Sequence, residues 1–421
     1  MTTVQAERVS EKRVRVTLEI ELEGNLLQFE EGLQQSFNRA GVMVMETAIG
    51  RNDADGSPIK IGSNRYTSKG RFLQTYETLF GPVDLKRHVY QSQHGGKTFC
   101  PLEERTRMLL NATPKYAKIV ASKCASLAAP RLREDLLESN ARAISISYTK
   151  TLADFVGAVV AAKEVHWEYD VPKLPEEVAS IAVGLDGTCM LMKDDGWRQA
   201  MCGSISLYDK AGERMHTIYA GAAPEYGKET FHGRFDRELE RVKKAFPEAT
   251  YIGLADGAPD NWSWLEPRTQ RHLIDFWHAR EYVGKAARAM PEKSAEERKS
   301  WEEEWSHRLK HEDGVLANLT REIVEAKEKA KGADLEDLSA AARYFTNHGE
   351  KMKYWEHKKK NLPIGSGVTE AACKMLIKER LCKSGMRWKN DGAACVISLR
   401  ALRMSDGRWE QFWDKLMQHG A

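Results

Sequence analysis

Apolar and polar residues alternate strictly over RVRVTLEIELEG, residues 13–24. A period of two predicts a half-buried strand, whose inner face carries Val14, Val16, Leu18, Ile20 and Leu22. A helical period follows from about residue 26 to 45. FLQTYETLFGPVDLKRHVYQ predicts a β-hairpin with its turn at Gly81-Pro82, and TPKYAKIVASKCASL predicts a helix with Pro114 in its first turn.

The stretch RLREDLLESNARAISISYTKTLADFVGAVV predicts two helices around a short polar turn, near Leu132–Glu138 and Tyr148–Val160. One interpretation is a DNA-binding helix-turn-helix. The other is a plain helical pair joined by apolar side chains, which is slightly favoured because Lys150 is the one basic residue on the second helix. If this region binds DNA, we expect Tyr148, Thr149 and Lys150 at its surface.

The pattern changes after VPKLPEEV, which is typical of a linker. SIAVGLD, WRQAMCGSISLYDK and ERMHTIYAG predict three strands, ETFHGRFDRELERVKKAF an amphipathic helix, and ATYIGLAD and RHLIDFWHA two more strands with a short helical piece between them. The resulting order, β-β-β-α-β-α-β, indicates a mixed α/β sheet covered by helices. From about residue 281 to 360 the chain becomes helical and highly charged. Two more helices are predicted near Thr369–Lys383 and Gly392–Met404.

Composition narrows the class of protein. A chain of 421 residues exceeds what one core usually holds, so we expect two or three domains. The net charge is only +3, so a nucleic-acid surface must come from local clustering of the 64 Lys and Arg. The 7 cysteines include no CxxC pair, which argues against a zinc finger or a disulfide framework. No run of about 18 apolar residues occurs, and we expect a soluble intracellular protein.

Two acids close strand-like runs of the same form. Asp186 ends the run in GLDGT, Asp256 ends the run in LADGAPDNW, and glycine follows each acid. Ligands of α/β sheets gather outside the carboxyl ends of strands. Two such strands side by side would place two carboxylates at one edge of the sheet, where a hard divalent cation finds oxygen ligands.

A third acid, Glu370, begins a helix after a glycine-rich turn in NLPIGSGVTEAACKMLIKERL. Gly365, Ser366 and Gly367 would let this turn approach the sheet closely. A third carboxylate would complete a site for two metal ions about 3.5–4 Å apart, which activate a water or a 3′-hydroxyl and stabilise the leaving oxygen. Lys374 lies one turn further along the same face and could contact a DNA phosphate.

The same acids have ordinary explanations. Asp-Gly is a common turn dipeptide, and 61 acids make chance triples easy. Glu370 suits the first turn of a helix, and with Lys374 it could form an i,i+4 pair of about 0.2–0.5 kcal/mol. Spacing alone leaves the metal site and the chance arrangement equally supported.

Longer motifs resemble a known family. GLDGT, LADGAPDNW, DFWHA, PIGSGVTEAACK and KSGMRWKNDGAACVISLRAL are similar to the DDE transposases of bacterial insertion sequences, specifically the ISKra group. KGRFLQTYETLFGPVDLKRHVYQ and GGKTFCPLEERT resemble the N-terminal half of that family. The resemblance covers about residues 65 to 404, and the C-terminal motif is its most specific part.

The resemblance implies an α/β RNase H-like catalytic core, a mixed five-stranded sheet with flanking helices. An all-α insertion and an N-terminal α+β DNA-binding region accompany that core. Asp186, Asp256 and Glu370 would be the metal-binding acids for Mg²⁺ or Mn²⁺. In DFWHA, His278 follows Asp275 as in the acid-x-x-His element of related groups, and would contact the scissile phosphate or support the metals. A structural histidine at a strand end is an equally good interpretation.

The corresponding domains can be bounded along the chain. They are an N-terminal α+β region at 1–130, a helical pair and linker at 131–170, the first part of the core at 178–280, the all-α insertion at 281–362 and the C-terminal helices of the core at 363–421.

DNA contacts are expected mainly near the C-terminus. One dense basic run is a candidate for phosphate binding, and a solvated helix surface is its alternative: Lys374, Lys378, Arg380, Lys383, Arg387 and Lys389. Trp262, six residues after Asp256, is the best of four tryptophans for stacking on an unpaired base, although burial in a core is the commoner fate of such residues.

These expectations amount to a transposase that cleaves the ends of an insertion sequence and joins 3′-OH ends to target DNA. Its partners would be double-stranded DNA, as terminal inverted repeats and target, and at least one further copy of itself, without a membrane. It would lie in the bacterial cytoplasm near the nucleoid. The alternatives are a catalytically silent, transposase-derived DNA-binding protein, or an RNase H-fold nuclease such as a junction resolvase that never joins strands.

Overall fold

A computed structural model describes residues 3–421 and divides the chain into two compact units. The first unit runs through Tyr169 and includes Ala394–Leu399 and Arg408–Ala421. The second comprises Asp170–Ala393 and Arg400–Gly407. No helix in residues 3–421 combines the length and apolar composition needed to cross a bilayer.

The first unit contains two antiparallel sheets. Strands β1 (Thr3–Ser10) and β2 (Arg13–Glu19) form a two-stranded sheet. The second sheet has four strands in sequence order: β3 (Ile59–Ile61), β4 (Asn64–Glu77), β5 (Pro82–Ser92) and β6 (Gly95–Phe99). The hairpin at Gly81-Pro82 is therefore confirmed. The alternating stretch is confirmed only through Glu19, because Ile20 and Leu22 lie beyond β2 and Leu22 is exposed. The sequence did not predict β1.

Five helices accompany these sheets in the N-terminal part of the first unit. They are α1 (Leu26–Gly50), α2 (Pro101–Thr106), α3 (Pro114–Cys124), α4 (Ala129–Asn140) and α5 (Ile146–Lys163). Helix α1 begins with a capping box, in which the Asn25 side chain accepts from the Gln28 N–H and the Gln28 side chain accepts from the Asn25 N–H. Helices α4 and α5 confirm the predicted helical pair.

The second unit is built on a mixed five-stranded sheet of order β11-β10-β7-β8-β9. Strand β8 runs antiparallel to both β7 and β9, while β10 pairs in parallel with β7 and β11. The strands and the two helices between them confirm the predicted β-β-β-α-β-α-β order: β7 (Ser180–Met192), β8 (Gly196–Tyr208), β9 (Arg214–Ala222), α6 (Glu229–Ala245), β10 (Thr250–Ala255), α7 (Pro259–Leu265) and β11 (Arg271–Ile274).

Helix α6 covers one face of this sheet. Its buried residues recur every three or four positions, as an amphipathic helix requires: Phe231, Phe235, Leu239 and Val242. At Gly203 of β8, an added Cβ would lie 2.7 Å from the Phe235 ring, so the absence of a side chain allows this close packing.

Two predicted strand ends are wrong. Strand β7 does not stop at Asp186 but continues to Met192, because it forms a long hairpin with β8. The stretch RHLIDFWHA is not one strand, since β11 ends at Ile274 and a helix begins at Phe276. His278 therefore stands in the first turn of a helix rather than at a strand end.

The predicted helical region is present and shares the core cluster of the sheet. Buried residues of the sheet, such as Ile181, belong to the same hydrophobic cluster as Leu319 and Phe345. The region consists of α8 (Phe276–Ala289), α9 (Ala295–His311), α10 (Val315–Lys329), α11 (Gly332–His348), a 3₁₀ turn (Gly349–Lys351) and α12 (Tyr354–Lys359).

The C-terminal helices differ in detail from the prediction. The helical stretch after the glycine turn consists of α13 (Gly367–Ala372), a π-helical segment (Cys373–Lys378) and α14 (Glu379–Leu381). Helix α15 (Asn390–Met404) was predicted, and α16 (Arg408–His419) was not. A π segment inside a helix often marks a functional site, and this one begins three residues after Glu370.

Candidate active site

Asp186 and Asp256 lie at the same level of neighbouring parallel strands. Gly184 of β7 pairs with Leu254 of β10. Asp186 lies two residues after Gly184, and Asp256 lies two residues after Leu254. Parallel strands lie about 4.8 Å apart. Strand β10 ends at Ala255, so Asp256 leaves the sheet beside Asp186. The structure thus brings together the first two predicted acids.

Asn261 of α7 holds this strand end in place. Its Nδ2 donates to Oδ1 of Asp256 at 3.2 Å and to the carbonyl oxygen of Leu185 at 3.4 Å. The Asp256 Oδ1 also accepts the Ala258 N–H at 3.0 Å. One buried amide therefore ties Asp256 to the residue before Asp186. The sequence did not predict a role for Asn261, although this residue lies in the LADGAPDNW motif, five residues after Asp256.

The surroundings of Asp186 disfavour its ionised form. Burial raises the pKa of the Asp186 carboxyl above its usual range, and the negative charge of Asp256 acts in the same direction. Hydrogen bonds from the Cys373 thiol and from the Gly187 N–H, the latter 2.7 Å long, oppose that rise in pKa. A carboxyl that is partly buried and lies beside the negative charge of Asp256 forms a site at which a cation would be favoured.

Helix α13, which carries Glu370, packs directly on β7. An added Cβ at Gly184 would meet Thr369 Oγ1, and the Thr369 hydroxyl lies 2.7 Å from that of Ser204 on β8. Thr369 is 3% exposed. Because Gly184 and Asp186 project from the same face of β7, this contact brings the start of α13 to the face that carries Asp186.

The Glu370 carboxylate has two partners. Its Oε1 accepts a hydrogen bond from the Ser366 hydroxyl at 3.2 Å and lies 3.6 Å from Nε2 of His278. The Glu370 side chain remains 48% exposed. His278 Nδ1 lies 3.5 Å from Oε2 of Glu281. His278 also acts electrostatically on Asp186, so it connects the third predicted acid with the first.

Asp275 organises the elements around this cluster. It is fully buried, and its Oδ1 accepts the N–H groups of Trp277 at 2.6 Å and His278 at 3.0 Å, which caps α8. Its Oδ2 accepts the N–H of Ser366. The Phe276 N–H donates to the Ile364 carbonyl at 3.0 Å. The start of α8 and the glycine turn before α13 are thus held as one assembly.

Two further side chains, those of Cys373 and His348, lie beside the cluster, and the sequence did not predict a role for either. The Cys373 thiol, next to Asp186, also hydrogen-bonds Cys202, and that contact together with burial raises its pKa. On the other side, an added Cβ at Gly257 would lie 3.0 Å from Nε2 of His348. Burial lowers the pKa of His348, whereas the charge of Asp256 opposes that shift.

The basic run near residue 380 divides into exposed and buried members. Arg380 is 5% exposed and stacks on Trp388 at 5.2 Å. Its guanidinium supports the fold in this conformation, so a phosphate contact would require Arg380 to leave Trp388. The other predicted phosphate contacts are exposed: Lys374, Lys378, Lys383, Arg387 and Lys389.

Other predicted DNA contacts differ in their exposure. Trp262 is 5% exposed and its Nε1 donates to the Asp256 carbonyl at 2.7 Å, so it positions that acid and has no free face for a base. Thr149 is fully buried, and its hydroxyl donates to the Ser145 carbonyl at 2.8 Å. Tyr148 is half-buried and donates to the Leu110 carbonyl at 2.8 Å, whereas Lys150 is exposed as predicted.

The conformation described does not contain an assembled metal site. Within residues 3–421, no group of three or more His, Cys, Asp or Glu side chains stands close enough together to hold a metal ion. Glu370 engages Ser366 and His278 instead. The Glu370 side chain would have to rearrange for all three carboxylates to bind one metal site.

Comparison with known proteins adds no family to this description. No protein-family model matches the chain, and a search of curated proteins returns no match.

Proposed function

We propose that this protein is a metal-dependent DNA transposase with an RNase H-like catalytic core. It would cleave the ends of an insertion sequence and join the resulting 3′-OH ends to target DNA. The observation that carries the proposal is the equivalent placement of Asp186 and Asp256 on neighbouring parallel strands, with Glu370 on a helix packed against one of those strands.

The topology supports the proposed core. Five strands and two helices follow in the order β-β-β-α-β-α-β, which is the order that the resemblance to DDE transposases implies. Asp186 lies on β7, the first strand of that order, and Asp256 directly follows β10, the fourth strand. Glu370 lies on α13, the helix that follows the all-α region. The basic residues that follow Glu370 provide a surface for a DNA backbone.

The donor set fits Mg²⁺ or Mn²⁺. Asp186, Asp256 and Glu370 offer carboxylate oxygens, the ligands that hard divalent cations prefer. Burial, and to a lesser extent the charge of Asp256, raises the pKa of Asp186. When bound, two such ions would activate the attacking water or 3′-hydroxyl and stabilise the leaving oxygen.

The chain's own groups have distinct tasks in this proposal. Asn261 fixes Asp256 beside Asp186, while Asp275 fixes the turn that precedes Glu370. His278 lies 3.6 Å from Glu370 and is partly exposed, so it can donate a hydrogen bond to a phosphate oxygen beside the acids. Lys374 and Lys383 are exposed and would hold the DNA backbone.

The experiment that tests the proposal uses the full chain, supercoiled DNA that carries the element's own ends, and Mg²⁺. Wild-type protein should nick the ends and transfer strands, whereas Asp186→Asn and Glu370→Gln should abolish both products and retain DNA binding. Undiminished cleavage by either variant contradicts the proposal. Binding without cleavage at any metal concentration identifies a silent DNA-binding protein, and cleavage of branched DNA without strand transfer identifies a resolvase.

A further inference from the structure

An open groove leaves the candidate active site along α8. Seven residues of that helix line it, and α9 contributes Glu302 from the opposite wall. Four of the seven recur at helical spacing: Trp277, Arg280, Gly284 and Arg288. The groove has a volume of about 570 Å³, within the range of about 300–1,000 Å³ that is usual for ligand sites. It begins one residue before His278.

Trp277 presents a fixed aromatic surface at the start of the groove. Its indole is 52% exposed although its neighbour Phe276 is buried. Its backbone N–H is held by Asp275 at 2.6 Å, and an added Cβ at Gly365 would lie 3.3 Å from its Cδ1. The ring thus contacts the turn that precedes Glu370, while about half of the surface of Trp277 remains exposed.

The charges that remain unpaired in the groove are mainly positive. Glu281 faces His278 at 3.5 Å, and Lys285 pairs with Asp337 at 3.1 Å. Within residues 3–421, Arg280 and Arg288 take part in no ion pair of this structure. They leave two cationic groups opposite the one carboxylate of Glu302, whose oxygens approach Gly284.

We propose that this groove binds an unpaired nucleotide of a DNA strand that leaves the active site, with its base stacked on Trp277 and its backbone beside Arg280 and Arg288. An open indole accepts any base face, and such stacking needs a base outside a duplex. Arg280 lies 5.8 Å from the centre of the indole, so it can contact the phosphate of the stacked nucleotide. From Trp277 to Arg288 the helix rises about 16 Å, several times the ~3.4 Å rise per nucleotide.

This inference rests on the proposed function in one respect, namely that DNA is the ligand. The test therefore measures binding alone. Fluorescein-labelled dT12 and a 12-base-pair duplex are titrated with the full-length protein in EDTA, and fluorescence anisotropy gives the dissociation constant for each. Because neither metal nor cleavage is involved, the result does not depend on catalysis.

Trp277→Ala should weaken binding of dT12 about tenfold, equivalent to about 1.4 kcal/mol, and should change binding of the duplex less than twofold. Trp277→Phe should restore most of the lost affinity. The matched control is Trp197→Ala, which removes another exposed indole, 65% accessible, from β8 outside the groove. Arg288→Ala should weaken dT12 binding and reduce its salt dependence.

Several results would overturn the inference. They are unchanged dT12 affinity in Trp277→Ala, an equal loss for duplex DNA, or the same loss in Trp197→Ala. The first of these is also the result expected if a peptide segment occupies the groove instead. Normal transposition together with unchanged dT12 binding in Trp277→Ala overturns this inference alone. Groove binding without any metal-dependent cleavage overturns only the proposed function.

Discussion

The buried carboxylate of Asp275 accepts the backbone N–H of Ser366, 91 residues further along the chain. Its other oxygen caps α8, the helix that carries His278. One side chain therefore sets the position of both the histidine and the turn before Glu370. Charge-assisted hydrogen bonds of this kind are among the stronger ones in proteins.

Asp275→Asn should separate the two elements. An amide group has one acceptor oxygen in place of two, so its NH₂ would face an N–H donor in a fully buried site. A loss of about 1–3 kcal/mol in the free energy of unfolding is expected, measured by urea denaturation. DNA cleavage should fall sharply while affinity for DNA changes little.

A matched control separates positioning from stability alone. Ser294→Ala removes a helix cap from α9, where Ser294 accepts the Glu297 N–H in a capping box. It should lower stability by about 1 kcal/mol and leave cleavage at the wild-type rate. Equal losses of cleavage in both variants would show that Asp275 acts only through overall stability.

Gly184→Ala tests whether α13 must touch β7. The added methyl group would overlap Thr369 Oγ1 and lie 3.2 Å from the Leu254 carbonyl oxygen, so α13 must move outward. Overpacking of this kind typically lowers stability by about 1–3 kcal/mol, and a shift of about 1 Å at Glu370 can reduce cleavage about 100-fold. Cleavage assays and thermal melts measure both effects.

Gly233→Ala provides the comparison. Gly233 lies within α6, where an added Cβ would find only Arg237 Nη1 at 4.0 Å. Alanine in a helix should raise stability by about 0.4–1 kcal/mol with cleavage unchanged. Normal cleavage in Gly184→Ala would mean that the contact between Thr369 and Gly184 does not position Glu370.

The sequence predicted the elements of the second unit well because its strands and helices have clear periods. The β-β-β-α-β-α-β order follows from short apolar runs and from the four-residue spacing between Phe231 and Phe235. Strand ends were harder to predict. Asp186 interrupts the apolar run of β7, but pairing with β8 carries the strand on to Met192, and such pairing is a property of the folded chain.

Side-chain roles were predicted less well than elements. Arg380 and Trp262 were assigned to DNA from charge and from closeness to Asp256, yet both are buried. Local sequence does not show which face of a helix meets the core when α13, the π segment and α14 turn at different periods. Asn261 and Asp275 were not recognised as positioning residues, because each also binds a group far along the chain. These are the Leu185 carbonyl, 76 residues from Asn261, and the Ser366 N–H, 91 residues from Asp275.

Asp186→Asn should raise thermal stability at neutral pH in EDTA. The folded-state pKa of Asp186 lies above its ordinary value of 3.8, so the folded state binds the proton more tightly than the unfolded state. Stability is then lost as pH rises through the folded pKa, and above it the charged carboxylate destabilises the fold. The uncharged amide removes this effect, so the Tm of the variant at pH 7 should exceed that of the wild type.

The pH dependence distinguishes this cause from a packing effect. The difference in Tm between wild type and Asp186→Asn should disappear as pH falls below 3.8, where wild-type Asp186 is protonated in both states. Mg²⁺ should raise the Tm of the wild type but not of the variant. A variant that is less stable than the wild type at pH 7 in EDTA would contradict the electrostatic account.

The basic run should divide into residues that bind DNA and one that supports the fold. Lys383 is exposed, whereas Arg380 is 5% exposed and stacked on Trp388. Removing one phosphate-binding side chain reduces the slope of log K against log salt by about 0.9 for duplex DNA. Lys383→Ala should therefore flatten that slope by roughly this amount without changing Tm. Arg380→Ala should lower Tm, because it leaves an indole uncovered, and retain the wild-type slope.

Titrations between 50 and 200 mM salt, about the range over which such contacts dominate, measure both slopes. A flattened slope in Arg380→Ala would place that guanidinium on DNA after all and would require Trp388 to release it on binding.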